Sequence, residues 1–221
     1  MKKIIILSLL LIPLASLSNK PDSSIPEQTV WNVLNVQGHS IDPQTGMVDD
    51  TEGFGAFDSI MKLFKPSCPL NFDNGGGSFD DTTRYVKDTY DIENVVYDPF
   101  MRTKEHNDYV LSLARNKKFD CCTSISVLNV IDTEDARSEH IRLCHNVLKE
   151  NGSAFFKIWP GNKSGVEHKE NGRYQSNQNA TYYISEIKKI FGTDNVMLID
   201  DKTIKAIKTN ATLYKNSTVL I

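Results

Sequence analysis

From residue 69 onward, short apolar runs alternate regularly with longer mixed segments along the chain. The predicted strands are 69–73, 94–98, 119–126, 153–159, 195–200 and 203–208. The predicted helices are 79–90, 105–116, 133–149 and 180–191, with Gly152 as the stop signal after the third and a polar loop over 160–179. Strand–helix alternation that ends in two strands indicates an α/β, three-layer sandwich with a mostly parallel sheet.

The segment before this alternation, residues 29–66, predicts an accessory layer. An apolar stretch around Trp31 is followed by a turn over 42–46, and then by a helix whose apolar residues share one face. Those apolar residues are Phe57, Ile60, Met61 and Phe64. Two arrangements fit this pattern: the layer covers a pocket, or it extends the sheet.

The amino terminus has the pattern of a secretory signal peptide. Lys2 and Lys3 precede an apolar run over 4–14, and small residues then allow a cut after Ser18. The run is too short for a membrane span of about 20 residues, so no stable span is expected in the mature chain. The alternative is a buried terminal helix or strand. The chain is predicted to divide into a leader (1–18), a linker and accessory segment (19–66), a main domain (67–210) and a tail (211–221). If the leader is cleaved, the protein is expected to be exported or secreted. If it is not cleaved, the protein is expected to be cytoplasmic.

Composition and charge narrow the function classes. The 221 residues are 39% hydrophobic and carry a net charge of −3, so nucleic acid gains no support as a partner from charge, although it is not excluded. The four cysteines include no CxxC spacing, and no metal site is predicted. Cys121 and Cys122 lie in an apolar run and are interpreted as small buried hydrophobic residues.

The most informative stretch is the end of the first predicted strand. Asp73 is followed by Gly75, Gly76 and Gly77, and a second strand ends in Asp98 twenty-five residues after Asp73. Glycine permits turns with positive φ and close approach of a ligand to the backbone. A carboxylate at the second position suits a ribose diol. The alternatives are a tight βα turn for the glycines and a helix cap for Asp98.

These motifs resemble class I S-adenosylmethionine-dependent methyltransferases. Asp73-x-Gly75-x-Gly77 with Asp98 resembles the first two motifs of that family. The strand over 119–124, with the apolar segment 127–131, resembles the fourth motif, and residues 145–156 resemble the helix–Gly–strand element after it. The resemblance covers about residues 30 to 208. It implies the Rossmann-like fold of that family and S-adenosylmethionine as the cofactor.

Four segments more narrowly resemble methyltransferase-like domains of phage and plasmid proteins. They are 97–100 (YDPF), 105–107 (EHN), 128–131 (LNVI) and 161–165 (GNKSG). Only about twenty residues separate Asp98 from Asp120, so one strand–helix unit of the family is expected to be missing, together with its acidic adenine contact. The fourth motif also lacks the Asp/Asn-Pro-Pro-aromatic set, so amino methylation of adenine or cytosine is not assigned.

The resemblance also implies roles for individual residues. The implied cofactor-binding set is Asp73, Gly75, Gly76, Gly77, Ser78, Asp98, Pro99, Phe100, Ser124 and Ser126. Asp73 binds the ammonium group, Asp98 holds the ribose hydroxyls, and Pro99 and Phe100 pack near the adenine. Ser124 and Ser126 lie beside the transferable methyl. His106 is the candidate catalytic base, whereas His140 and His145 are interpreted as surface or packing residues.

Three functions remain open at this point. The first is an active methyltransferase with an unidentified acceptor, and the second is an inactive cofactor-binding or interaction domain with the same fold. The third is an NAD-dependent oxidoreductase, which needs a third glycine where this chain has Asp80. The leader raises a conflict, because S-adenosylmethionine is a metabolite of the cell interior. Delivery into another cell, an unusual uncleaved terminus and a non-enzymatic role each resolve that conflict.

Overall fold

The computed structural model describes residues 40–41, 48–49, 51–64, 68–78, 80–170 and 172–209. The strands are β1 (Ser40–Ile41), β2 (Val48–Asp49), β3 (Leu70–Asn74), β4 (Glu93–Tyr97), β5 (Phe119–Ile125), β6 (Leu148–Lys157), β7 (His168–Glu170), β8 (Arg173–Gln175), β9 (Val196–Leu198) and β10 (Thr203–Ile207). The helices are α1 (Thr51–Phe64), α2 (Asp81–Tyr90), α3 (Lys104–Asn116), α4 (Glu134–Val147) and α5 (Ala180–Phe191). The predicted leader and tail lie outside these residues, so the proposed divisions of the chain remain predictions.

Six strands form the central sheet in the order β4-β3-β5-β6-β10-β9. The β3–β4, β3–β5 and β5–β6 pairs are parallel, whereas β10 runs antiparallel to both β6 and β9. The predicted mostly parallel sandwich is therefore confirmed. Only α3 connects β4 at the sheet edge to β5, so the predicted shortening between Asp98 and Asp120 is present.

Helices cover both faces of the sheet. One face packs against α1 and α2 through a cluster that includes Phe57, Met61, Val86 and Phe155. The opposite face carries the larger cluster, to which α3, α4 and α5 contribute. Because both faces are covered, β3 is buried along its whole length, as parallel strands usually are.

Side-chain caps fix where two of the helices begin. The Thr103 hydroxyl accepts a hydrogen bond from the backbone N–H of His106 at the start of α3, and Thr133 does the same for Ala136 at the start of α4. These bonds satisfy N–H groups that have no partner within the helix. Both caps follow the carboxyl ends of strands and aim the following helix back along the sheet.

Three local predictions were wrong. The segment predicted as a polar loop over 160–179 contains the β7–β8 hairpin. The helix predicted over 133–149 ends at Val147, and Gly152 lies inside β6 because buried Leu148 already begins the strand. Cys121 is not a free buried thiol but is disulfide-bonded to Cys68, which precedes β3.

Candidate active site

The predicted site residues come together at the carboxyl edge of the parallel strands. Asp73 lies near the end of β3, Asp98 directly follows β4, and Ser124 lies near the end of β5. These three strands are neighbours in the sheet, so their ends meet at one edge. Ligands of open α/β sheets bind at this edge.

Three polar side chains form a buried network around the Asp73 carboxylate. Its Oδ1 accepts a hydrogen bond from the Thr123 hydroxyl (2.9 Å), and its Oδ2 accepts a long one from the Asn94 amide (3.5 Å). Asn71 donates to both of those partners, at 2.7 Å to Asn94 Oδ1 and 2.8 Å to Thr123 Oγ1. The network fixes the position of Asp73 across three strands.

Burial dominates the electrostatics of Asp73. The side chain is almost fully buried, and loss of hydration raises its pKa from 3.8 to about 6, against the lowering effect of the Thr123 and Asn94 hydrogen bonds. The negative charge of Asp98 raises it further, whereas Arg102 lowers it. Both hydrogen-bond donors are neutral, so a cation placed beside Asp73 would favour its charged form.

The glycine turn lies directly over this carboxylate. Gly75 and Gly77 have φ of +92° and +77°, and a Cβ added at Gly76 would lie 2.5 Å from Asp73 Oδ2. A Cβ at Gly75 would lie 2.5 Å from a methyl group of Val127. Glycine is therefore required both by backbone conformation and by close packing.

Asp98 holds the second half of the turn. Its Oδ2 accepts from the backbone N–H of Gly77 (2.9 Å), and its Oδ1 accepts from the N–H groups of Phe100 and Met101 (3.0 Å each). Burial raises the pKa of Asp98, and these three bonds oppose the shift. A carboxylate offers about four acceptor positions, so one remains for a ligand hydroxyl. Asp98 therefore stabilises the glycine turn and the turn after β4. The sequence analysis had offered only ribose binding and a helix cap as roles for this residue.

Arg102 is a site residue that the sequence analysis missed. Its Nε donates to the backbone carbonyl of Gly77 (2.6 Å), and its Nη2 pairs with Asp80 (2.8 Å) at the start of α2. The guanidinium thereby joins the glycine turn to the helix that follows it. The position of Arg102 four residues after Asp98 is the local signal that could have drawn attention to it.

Two histidines contact the site region, in different ways. Ser124 Oγ and His140 Nε2 are 2.8 Å apart, and the backbone carbonyl of His140 accepts from the Asn74 amide. His106 Nε2 instead contacts the backbone carbonyl of Val96 at 2.8 Å, inside β4. The structure therefore pairs Ser124 with the histidine that the sequence analysis had interpreted as a packing residue.

The remaining predicted residues lie around the same edge. Ser126 directly follows β5, has φ of +58° and donates its N–H to Lys157, while Ser78, Pro99 and Phe100 are partly exposed in the turns after β3 and β4. Their binding roles remain predictions. Across the described ranges, no group of three His, Cys, Asp or Glu side chains could hold a metal ion. None of the described helices is long and apolar enough to cross a membrane.

Comparison with solved structures identifies the fold. No protein-family model and no curated protein matches the chain. The 1,6-didemethyltoxoflavin-N1-methyltransferase of Burkholderia thailandensis, solved with 1,6-didemethyltoxoflavin and S-adenosylhomocysteine, superposes with a TM-score of 0.50 at 12% identity, over 69% of this chain and 76% of that chain. The sugar N-methyltransferase KedS8 of a Streptoalloteichus species gives 0.51 at 8% identity, over 88% and 99%. The chain therefore has the Rossmann-like class I methyltransferase fold.

Proposed function

We propose that this protein is an S-adenosylmethionine-dependent methyltransferase with an acceptor that is still to be identified. The observation that carries the proposal is the buried Asp73 carboxylate beneath the Gly75–Gly77 turn, with Asp98 bonded to that turn from the neighbouring strand. This arrangement lies at the ligand-binding edge of a class I methyltransferase fold. The Burkholderia enzyme with the same fold was solved with the demethylated product of this cofactor.

The residues fit this cofactor in three respects. Its ammonium group would supply the cationic partner that Asp73 lacks among its hydrogen-bond donors, Thr123 and Asn94. A ribose hydroxyl can use the acceptor position left on Asp98. The lack of a side chain at Gly76 keeps the Asp73 carboxylate in place beneath the turn, because a Cβ there would lie 2.5 Å from its Oδ2.

The reaction needs little from the protein besides positioning and one proton acceptor. When bound, S-adenosylmethionine supplies an electrophilic methyl group on a positively charged sulfur. Ser124 lies one strand away from Asp73, and its hydroxyl is bonded to His140 Nε2. His140 can thus take up, through Ser124, the proton that an acceptor hydroxyl or amine releases. His106 remains a second candidate, with Nε2 already in contact with the backbone.

Two alternatives receive less support. An NAD-dependent oxidoreductase needs a third glycine at the position of Asp80, whose side chain here pairs with Arg102 instead. An inactive domain would keep the fold without a proton acceptor, whereas the Ser124–His140 contact provides one at the strand end. The amino acids around the glycine turn therefore favour an active methyltransferase.

Isothermal titration calorimetry with S-adenosylmethionine and with NAD tests the proposal. We expect binding of S-adenosylmethionine alone. Asp98→Ala should weaken that binding at least about tenfold, because it removes both the hydroxyl acceptor and the bond to Gly77. Asp88→Ala, which removes an exposed carboxylate on α2, is the control. Unchanged affinity of the Asp98→Ala variant would contradict the site assignment.

We further propose that the protein is exported after cleavage of residues 1–18, with delivery into a host cell as the route to its cofactor. The leader pattern and the Cys68–Cys121 disulfide support this, because structural disulfides persist mainly in oxidising compartments. Intact-mass spectrometry of the protein from culture medium and from cells should find a chain that begins at Asn19. Recovery of only the full-length chain, from cytosol, would end this proposal.

A further inference from the structure

A groove with an exposed tryptophan lies beyond β6. Its volume is about 510 Å³, within the range of small-molecule sites. The lining residues are Trp159, Gly161, Asn162, His168, Gln175 and Asn177. Trp159 is 53% exposed, although its neighbours Ile158 and Pro160 are buried. A large indole face is therefore available to a ligand at a point where the chain on either side is fixed.

The order of the strands places this groove next to the site already described. Asp98 follows β4, Asp73 lies on β3, Ser124 lies on β5 and Trp159 follows β6. Along the edge of the sheet, the Ser124 position thus separates the two acidic residues from the groove. A donor held by Asp73 and Asp98 and a second molecule held in the groove would meet near Ser124.

Hydrogen bonds fix the groove before any ligand binds. The Gln175 amide donates to the Trp159 carbonyl (3.2 Å) and accepts from Asn129 (3.1 Å), which joins the hairpin to the turn after β5. Asn177 donates to the Val166 carbonyl (2.8 Å) and accepts from the N–H of Asn162 (3.3 Å). A site that is ordered in advance loses less entropy on binding.

The lining also limits the chemistry of the ligand. None of the six residues is a lysine, arginine, aspartate or glutamate. A phosphate-bearing or nucleic-acid ligand would need cationic partners, and the only lining side chain that can carry a positive charge is His168, whose Nε2 lies 3.3 Å from Glu170 Oε2. An exposed indole instead favours the face of another aromatic ring, in an offset stack.

We propose that this groove binds the methyl acceptor, and that the acceptor presents an uncharged aromatic or heteroaromatic ring to the face of Trp159. Asn162 and His168 on the exposed side then contact polar substituents of that ring. The acceptor role rests on the proposed methyltransferase function, whereas ring binding itself does not.

Fluorine NMR of the full chain labelled with 5-fluorotryptophan tests ring binding directly. The chain has two tryptophans, Trp31 and Trp159, and a Trp159→Phe sample assigns their resonances. The probes are quinoxaline as a neutral flat ring, methyl β-D-glucopyranoside as a non-aromatic ring and phenyl phosphate as a charged aromatic. We expect quinoxaline to shift the Trp159 resonance and to bind at least about fivefold more tightly than the other two. Tighter binding of either other probe would overturn the proposal.

Matched variants separate stacking from general apolar binding. Trp159→Ala should raise the quinoxaline dissociation constant at least about fivefold, whereas Trp159→Phe keeps most of the affinity. Tyr109→Ala removes an aromatic side chain that is 67% exposed on α3, and it should change nothing. Equal losses in Trp159→Ala and Tyr109→Ala would refute a specific site.

Calorimetry with S-adenosylmethionine on the same samples separates the two proposals. The cofactor should bind to Trp159→Ala as it does to the unaltered chain. Cofactor binding without quinoxaline binding overturns the groove proposal alone. Quinoxaline binding at Trp159 without cofactor binding overturns the methyltransferase proposal and the acceptor role, while it supports a ring-binding groove.

Discussion

The buried carboxylate of Asp73 makes a quantitative prediction about stability and pH. Burial raises its pKa from 3.8 to about 6 in the folded protein. The unfolded chain therefore loses this proton first as the pH rises, and the charged carboxylate destabilises the folded state. Below pH 3.8 Asp73 is protonated in both the folded and the unfolded state, and it does not lower the unfolding free energy. Above pH 6 it is charged in both states, and the unfolding free energy is lowered by the full amount. A rise of about two pKa units corresponds to roughly 3 kcal/mol.

Asp73→Asn removes this titration while it keeps the size of the side chain. We expect the difference in unfolding free energy between Asp73→Asn and the unaltered chain to change by about 2–3 kcal/mol between pH 4 and pH 8, in favour of the variant at high pH. Urea unfolding at several pH values measures this difference. Asp98 also has a raised pKa, so only the comparison of the two chains isolates Asp73.

The control for this experiment is Asp88→Asn, which alters an exposed carboxylate on α2 and should change the unfolding free energy by no more than about 0.5 kcal/mol. A difference between Asp73→Asn and the unaltered chain that stays constant from pH 4 to pH 8 would refute the reasoning. It would mean that the carboxylate keeps its hydration or has a cationic partner in the folded protein.

Gly76→Ala should lower the unfolding free energy by about 1–3 kcal/mol and weaken cofactor binding, because its Cβ would lie 2.5 Å from the buried carboxylate. Gly55→Ala, in open space on α1, should instead stabilise by up to about 1 kcal/mol, and equal effects in urea unfolding would contradict the packing argument. Arg137→Met should lower the unfolding free energy by about 3–5 kcal/mol, because it leaves its buried partner Glu186 unpaired. Adding Glu186→Leu should restore most of this stability. A double variant as unstable as the single one would contradict the role of the ion pair. Cys68→Ala should lower the unfolding free energy by about 2–4 kcal/mol when both chains are compared without reductant, and by little when both are compared with reductant. A loss of stability that persists with reductant would indicate that packing of the Cys68 side chain, and not the disulfide, is responsible.

The main architecture could be predicted from sequence because its signals are local. The apolar runs gave the strands, and the acid–glycine spacing after β3 placed Asp73 and the turn at one edge. The partners of Asp73 could not be predicted in this way. Thr123 and Asn94 reach it only because β5 and β4 pair with β3 in a register that sets Thr123 opposite Asp73 and Asn94 opposite Asn71.

Two other findings also depend on contacts between distant segments. The β7–β8 hairpin lies in a polar stretch without strand-like alternation, and it is held by a bond from the N–H of Ser176 to the carbonyl of Asn129. The disulfide joins Cys68 to a cysteine 53 residues away, and no spacing rule identifies such a pair. Sequence patterns report on neighbours along the chain, whereas these contacts depend on the assembled sheet.

The alternation of side chains along a strand separates the two halves of the proposed reaction. Thr123 points to the face that carries Asp73, and Ser124, the next residue, points to the opposite face, where α4 supplies His140. Changes on α4 should therefore alter the proposed proton uptake without disturbing Asp73, the carboxylate that we propose binds the cofactor. The same alternation places the two adjacent cysteines on opposite faces of the sheet. Cys121 packs with the cluster under α1 and α2, whereas Cys122 packs with the cluster under α4. Reduction of the disulfide should consequently affect the cofactor side first, since Cys121 lies two residues from Thr123 on the same face.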